Sequence, residues 1–317
     1  ELRGARAAFA RLWSLLVASP VALGTVGWNT TVMPLAPVFD PGDAAFTEKL
    51  TLADTFCACT GMPRRDLDFV FEYAKAKPED TLRWFAAMKP TTGFGETFQY
   101  SNQMTALGGF VAARVAEPKK PLLQAYEAAM RARVFAPMGM ADSTASYAEG
   151  KKGGAALPHA ASLAAGFDEP LVVPFGMESF VEPVAPAGSV FSTAHDMARY
   201  ALVELAKGKT PEGKQVFSEA NLLERRKLRV RAGAKGAYGL GLGLGELHGL
   251  SIVSHDGGTF GFASRLFLVP DKGLGLVVLT NSTASGSELL DAVTLRLIEL
   301  VLGGKERAAA ELDKSIE

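Results

Sequence analysis

The sequence is poor in the residue types that build metal sites and disulfide frameworks, with two cysteines and four histidines among 317 residues. The cysteines form a Cys57-Ala58-Cys59 run, and no further cysteine or histidine follows at short spacing, which argues against a metal site. A disulfide between residues two apart is usually strained. We therefore expect two small, half-buried apolar side chains, with no metal and no cofactor.

The chain also lacks an excess of charge, since 33 lysines and arginines nearly balance 34 aspartates and glutamates. Such a balance argues against nucleic acid or an anionic membrane as a partner. The apolar stretch over residues 12–27 contains Pro20 and is shorter than the roughly 18 residues that a membrane-spanning helix requires. It does resemble part of a signal peptide, because arginines precede it. We expect a buried helix over residues 5–18 and no membrane span, with a membrane anchor as the alternative.

What the chain does have is enough apolar residues, 48%, to bury a large core. Residues 50–200 show mostly helical periodicity, whereas residues 250–253, 265–269 and 274–279 have the composition of strands separated by turns. A last helix is predicted over residues 285–301. The expected fold class is α+β, with an antiparallel sheet and a large helical insertion. We expect one unit over residues 1–317, in which a mainly helical lobe (50–200) interrupts an α/β lobe (1–49 and 201–317).

Three groups of motifs carry chemical information. The first is Tyr100-Ser101-Asn102, which follows an aromatic, glycine-containing run over residues 94–99; by itself it would also fit a helix N-cap. The second is the stretch over residues 254–259, Ser-His-Asp-Gly-Gly-Thr, beside a predicted strand edge. The third is a series of ordered landmarks over residues 135–143, 186–200, 238–243 and 269–281.

In this order the motifs resemble the serine β-lactamase-related family, which includes class C β-lactamases, penicillin-binding proteins, D-aminopeptidases and family VIII carboxylesterases. The resemblance runs from about residue 24 to the C-terminus. It implies a β-lactamase/DD-peptidase-like fold, with an antiparallel sheet flanked by helices and a mainly helical second lobe. It also implies hydrolysis of a small ester, amide or peptide through an acyl-enzyme, and favours a periplasmic or secreted location, as is common for the family in bacteria.

The resemblance also assigns roles to individual residues. Tyr100 relays protons, Asn102 orients the substrate, and His255 lines the cleft and holds a carboxylate or the tyrosine. Gly257, Gly258 and Thr259 line the substrate site, and the backbone N–H of Gly258 supplies half of an oxyanion hole. Histidine where the family has a Lys-Thr-Gly lysine favours an esterase or peptidase over an efficient β-lactam hydrolase.

The Ser-x-x-Lys motif, which supplies the nucleophile and its base in this family, is missing. No lysine of the sequence has serine, threonine or cysteine three residues before it, and none precedes Lys49. The family spacing places the serine near Ala7 and the lysine near Ala10, on the predicted N-terminal helix. Two explanations stay open: a loss that leaves a ligand-binding or regulatory pseudoenzyme, or a start of the chain that is altered or incomplete.

Overall fold

The computed structural model describes residues 7–9, 14–18, 26–36, 44–72, 75–152, 154–162, 170–234, 236–247, 249–284, 286–303, 306–310 and 313. Ten strands run through these residues: β1 (Ala7–Phe9), β2 (His159–Ala161), β3 (Pro170–Val172), β4 (Val190–Ser192), β5 (Val230–Ala232), β6 (Gly236–Tyr238), β7 (Gly243–Leu247), β8 (Leu250–Gly258), β9 (Ala263–Val269) and β10 (Leu274–Thr280).

The last six strands form one antiparallel sheet in the order β10-β9-β8-β7-β6-β5. Each strand pairs with its sequence neighbour, as a chain of hairpins does. The β9–β10 hairpin closes through a short 3₁₀ turn, Pro270–Lys272, and through Gly273, whose φ of 61° lies in the left-handed region that glycine adopts without cost. The three strands predicted from composition and turn residues, and the α+β fold class, are confirmed.

The α-helices are α1 (Ser14–Ala18), α2 (Ala44–Thr47), α3 (Leu67–Glu72), α4 (Pro78–Ala86), α5 (Asn102–Ala116), α6 (Leu122–Met130), α7 (Ala136–Met138), α8 (Tyr147–Lys152), α9 (Ala185–Gly188), α10 (Ala194–Leu205), α11 (Glu219–Glu224) and α12 (Gly286–Leu302). A π turn, Arg131–Phe135, links α6 to α7, and a 3₁₀ helix, Phe175–Val184, precedes α9. Within the described ranges, the helices are all too short or too polar to cross a bilayer.

Helix α5 lies at the centre of the core, with its residues from Gln103 to Ala113 buried. Two glycines allow its neighbours to come close. A Cβ added at Gly109 would lie 2.2 Å from the Cβ of Pro186, and one added at Gly108 would lie 2.0 Å from the Thr55 hydroxyl oxygen. The Ser101 side chain caps the helix by accepting a hydrogen bond from the Met104 amide at 3.4 Å. This packing holds the start of α5 in a defined place.

The expected continuous helix over residues 5–18 is wrong. Residues Ala7–Phe9 form β1, which pairs antiparallel with β4, and helix α1 covers only Ser14–Ala18. Pairing with β4 satisfies the backbone groups of residues 7–9 between strands, and it therefore overrides the local helical periodicity. Ala7 thus lies on a strand, and Ala10 lies outside the described residues.

The expectation of two unpaired cysteines is also wrong, because Cys57 and Cys59 form a disulfide. Ala58 between them has φ 52°, in the left-handed region, and this turn brings the two cysteine Cα atoms to 5.0 Å. Both cysteines are buried, not half-buried as expected. Their sulfur atoms lie with a carboxylate oxygen of Asp54 in a group that could bind a metal, but the disulfide occupies both sulfurs.

Candidate functional site

One large cavity, of about 890 Å³, opens between α3, the start of α5, the 3₁₀ helix Phe175–Val184 and strand β8. All six residues that the sequence motifs single out as site-lining line it: Tyr100, Asn102, His255, Gly257, Gly258 and Thr259. The folding of the chain brings together two motifs that are more than 150 residues apart in sequence. A concave site with convergent polar groups is typical of ligand binding.

Strand β8 presents its last residues to the cavity because its two neighbours differ in length. Strand β7 pairs with β8 only as far as Ser254, opposite Gly243, whereas β9 continues to pair as far as Gly258. Residues 255–258 therefore have β9 on one side and the cavity on the other. A Cβ added at Gly258 would meet no atom within 4 Å. Backbone N–H groups at such a place are accessible to a ligand oxygen.

Arg64 and Asp66, which no sequence motif indicated, contact the Tyr100-Ser101-Asn102 motif. The Asn102 side-chain amide donates a hydrogen bond of 3.0 Å to Asp66, which also forms an ion pair with Arg64. The Arg64 guanidinium lies over the Tyr100 ring, 5.3 Å from its centre. The hydrogen bond to Asp66 uses one of the two N–H groups of the Asn102 side-chain amide and holds the orientation of that side chain. The only sequence signal for these contacts of Arg64 and Asp66 is that charged residues follow the turn over residues 60–63.

Two charged residues of the sheet, Asp256 and Arg265, also line the cavity. Arg265 on β9 donates to both carboxylate oxygens of Asp256 on β8, at 2.8 and 2.6 Å, and to Asp291 on α12 at 2.6 Å. Hydrogen bonding to Asp256, and then to Asp291, raises the pKa of Arg265 above its ordinary value. The His255 ring meets the Tyr238 ring edge-on at 6.4 Å. A bidentate ion pair thus holds Arg265 and Asp256 together at the cavity.

Three phenylalanine rings in contact with one another also line the cavity. The Phe180 ring lies 6.2 Å from the Phe69 ring in a stacked arrangement and 4.3 Å from the Phe260 ring, measured between ring centres. We call these three residues the aromatic wall. They come from α3, from the 3₁₀ helix and from the turn after β8, and all three line the cavity. No local pattern in the sequence predicted that they would meet.

Glu178 stabilises the turn that follows β8 by a hydrogen bond to its backbone. Its carboxylate is buried and accepts a 2.9 Å hydrogen bond from the backbone N–H of Gly261. Burial raises the pKa of Glu178, and its interactions with the Thr259 hydroxyl and the Gly261 amide offset only part of that increase. The turn that carries Thr259 and Phe260 into the cavity therefore depends on a buried carboxyl group.

The predicted nucleophile region lies near the same sheet. Strand β1, which contains Ala7, runs close to β8, β9 and β10. The roles predicted for Tyr100, Asn102, His255 and the glycines stay predictions.

The fold of this chain is similar to that of solved penicillin-binding-protein homologues and of an amidohydrolase. It superposes on an octameric penicillin-binding protein homologue from Pyrococcus abyssi with a TM-score of 0.77 and 17% identity, covering 95% of this chain and 66% of that one. It superposes on a D-stereospecific amidohydrolase from Streptomyces sp. with a TM-score of 0.69 and 18% identity, covering 89% and 84%. These likenesses show the fold.

The sequence comparisons show the family. The family model described as Beta-lactamase matches residues 12–300, and the chain belongs to this family. It is 26% identical over 301 residues to an unguisins hydrolase of Aspergillus campestris, covering 92% of this chain but 53% of that protein. It is also 26% identical over 291 residues to penicillin-binding protein 4 of Amycolatopsis lactamdurans, covering 90% and 73%. The chain thus spans about half the length of the first of these relatives.

Proposed function

We propose that the cavity is the substrate site of a β-lactamase-family serine hydrolase for small amides, esters or peptides, and that this chain binds such a ligand without forming an acyl-enzyme. The observation that carries the first half is the meeting of two family motifs on one cavity. The names of two relatives, an unguisins hydrolase and a D-stereospecific amidohydrolase, support a hydrolysable amide or related bond. The second half rests on the lack of Ser-x-x-Lys in the sequence.

In this proposal, each cavity residue has a defined task toward a ligand carbonyl. The Gly258 N–H donates to the carbonyl oxygen, and the Asn102 side chain, held by Asp66, orients the adjacent amide. Tyr100 is the proton-relaying group, and His255 lines the cleft and holds the tyrosine, one of the two roles that the family resemblance gives it. Acyl transfer also needs a nucleophile with a neighbouring base, and an alanine occupies position 7, where the family spacing places the serine.

The expected result of a covalent-labelling experiment is an unchanged protein mass. After incubation with benzylpenicillin or a fluorophosphonate, intact-protein mass spectrometry should show no added penicilloyl or phosphonyl group. A penicillin-binding protein with an intact Ser-x-x-Lys serves as the positive control in the same reaction. A stoichiometric adduct on this chain would contradict the non-acylating half of the proposal, and peptide mapping would then identify the nucleophile.

The binding half is tested by filling the cavity. We expect Gly258→Val to weaken the binding of an N-acetylated dipeptide amide at least tenfold, because the added side chain enters the open space at the cavity wall. Isothermal titration calorimetry measures the affinity. Gly245→Val on β7 is the matched control, since an added Cβ there has only the Ile252 Cβ nearby, at 4.0 Å. Equal affinity of both variants and the unaltered protein would place the ligand elsewhere.

A further inference from the structure

We propose that the ligand of this cavity is an apolar amide or peptide with an aromatic side chain and without a free carboxylate. This inference deepens the proposed function and rests on it. It follows from two features of the cavity that both favour such a ligand. The first is that its arginines are paired with carboxylates, and the second is the aromatic wall.

The arginines that line the cavity, Arg64 and Arg265, are the first feature. Arg265 is only 15% exposed and is held by the carboxylates of Asp256 and Asp291 together, so its immediate surroundings carry a negative charge excess. Arg64 is paired with Asp66 and lies over the Tyr100 ring. In the part of the chain that the structure describes, each cavity-lining arginine is therefore already neutralised by a carboxylate.

A ligand carboxylate gains little at such a site. It would have to displace a bidentate partner from Arg265, or else lie beside Asp256 without a counter-charge, and a like charge nearby is unfavourable. An uncharged C-terminal amide avoids both costs. Its N–H and carbonyl groups can bond to the exposed backbone of residues 255–258 on β8, which lines the cavity beyond the end of β7.

The aromatic wall is the second feature. The Phe180 ring contacts both the Phe69 ring and the Phe260 ring, and Phe69 and Phe180 are buried whereas Phe260 is half-buried. The accessible ring surface of the aromatic wall therefore belongs mainly to Phe260, with Val181 and Val184 also lining the cavity. An aromatic side chain of the ligand would pack against the half-buried Phe260 ring and bury its accessible apolar area. A ligand with only small side chains would leave the Phe260 ring partly exposed to water.

The test compares two probes that differ in one group, N-acetyl-diphenylalanine amide and N-acetyl-diphenylalanine with a free C-terminal carboxylate, each in L- and D-forms. The titrations use the unaltered protein at pH 8, where histidine side chains are ordinarily uncharged, so that the arginines decide the difference. We expect the amide to bind at least tenfold more tightly than the acid. An acid that binds as tightly as the amide, or more tightly, overturns the inference.

Substitutions separate the two features. We expect Asp256→Asn to reduce the preference for the amide several-fold, because it removes one of the two carboxylates that neutralise Arg265. We expect Phe180→Ala to weaken amide binding at least tenfold, whereas the matched control Phe71→Ala, at a 79% exposed position on the same short helix as Phe69, leaves it unchanged. Unchanged binding in Phe180→Ala also overturns the inference.

The outcomes distinguish this inference from the function on which it rests. If the acid binds well and Gly258→Val abolishes that binding, the cavity is the ligand site and only the proposed ligand chemistry is wrong. If neither diphenylalanine probe nor an N-acetylated dialanine amide binds, both the inference and the proposed binding function fail. The comparison of amide with acid uses the unaltered protein, so it stands even if Phe180→Ala does not fold.

Discussion

Replacing Arg225 by alanine should lower the free energy of unfolding by about 3–5 kcal/mol, the usual cost of leaving one charge of a buried ion pair without its partner. Arg225 and Glu204 are fully buried and form an ion pair with each other. Arg225 also donates to the Ser14 hydroxyl at 2.8 Å and to the Tyr200 hydroxyl at 3.3 Å, and Arg226 binds the other Glu204 oxygen at 2.9 Å. This network ties α1, α10 and the end of α11 together.

The pKa of Glu204 gives this prediction a pH dependence. Burial alone would raise that pKa, but the charges of Arg225 and Arg226 lower it below the ordinary value. A lowered pKa in the folded state contributes stability at a pH above the ordinary glutamate pKa, and this stability is lost as the pH falls through the folded-state value. The stability difference between the unaltered protein and Arg225→Ala should therefore shrink in acid.

Urea denaturation followed by circular dichroism measures both effects. Arg231→Ala, at an exposed position, is the control and should change the stability by no more than about 0.5 kcal/mol. The double variant Arg225→Met with Glu204→Leu should be more stable than Arg225→Ala, since two apolar side chains can replace a buried ion pair. A loss below about 1 kcal/mol in Arg225→Ala would show that Glu204 finds sufficient compensation elsewhere.

Glu178 should behave differently from Arg225, because its acceptor oxygen matters more than its charge. Glu178→Ala leaves the buried Gly261 N–H without its acceptor, which should cost about 1–3 kcal/mol of stability. It should also weaken ligand binding, because the Gly261 turn carries Thr259 and Phe260 into the cavity. Glu178→Gln keeps an acceptor oxygen and should retain binding.

The sign of the pH effect is opposite to that at Glu204. A raised folded-state pKa, as at Glu178, means that its contribution to stability is fully present below the unfolded-state pKa and is lost as the pH rises through the folded-state value. Glutamine does not titrate, so Glu178→Gln should gain stability relative to the unaltered protein between acidic and neutral pH. Urea midpoints at several pH values test this, and a difference that does not change with pH would refute it.

Much of the sheet could be predicted from the sequence because its signals are local. Alternating apolar residues and the Pro270-to-Gly273 turn locate β9 and β10, and both strands appear where expected. The motif around His255 likewise indicated a strand beside a cleft, and its two glycines are the last residues of β8. Such features depend on neighbours a few residues away, which a single sequence contains.

The two errors arose where long-range contacts compete with local preference. Residues Ala7–Phe9 have helical periodicity with their successors, yet they pair with β4 instead. The Cys57–Cys59 disulfide depends on Ala58 adopting a left-handed conformation that alanine rarely prefers. The surrounding structure has to hold such a conformation, and its cost cannot be judged from three residues alone.

The sequence by itself determined the family, the α+β class and the motif residues Tyr100, Asn102 and His255, since these depend on residue identity and order. Only the tertiary structure decided that Asp66 holds Asn102, that Asp256 and Asp291 neutralise Arg265, and that three separate phenylalanines form the aromatic wall. These contacts join segments far apart in the chain. Their partners are selected by packing in three dimensions, which periodicity and motif spacing do not encode.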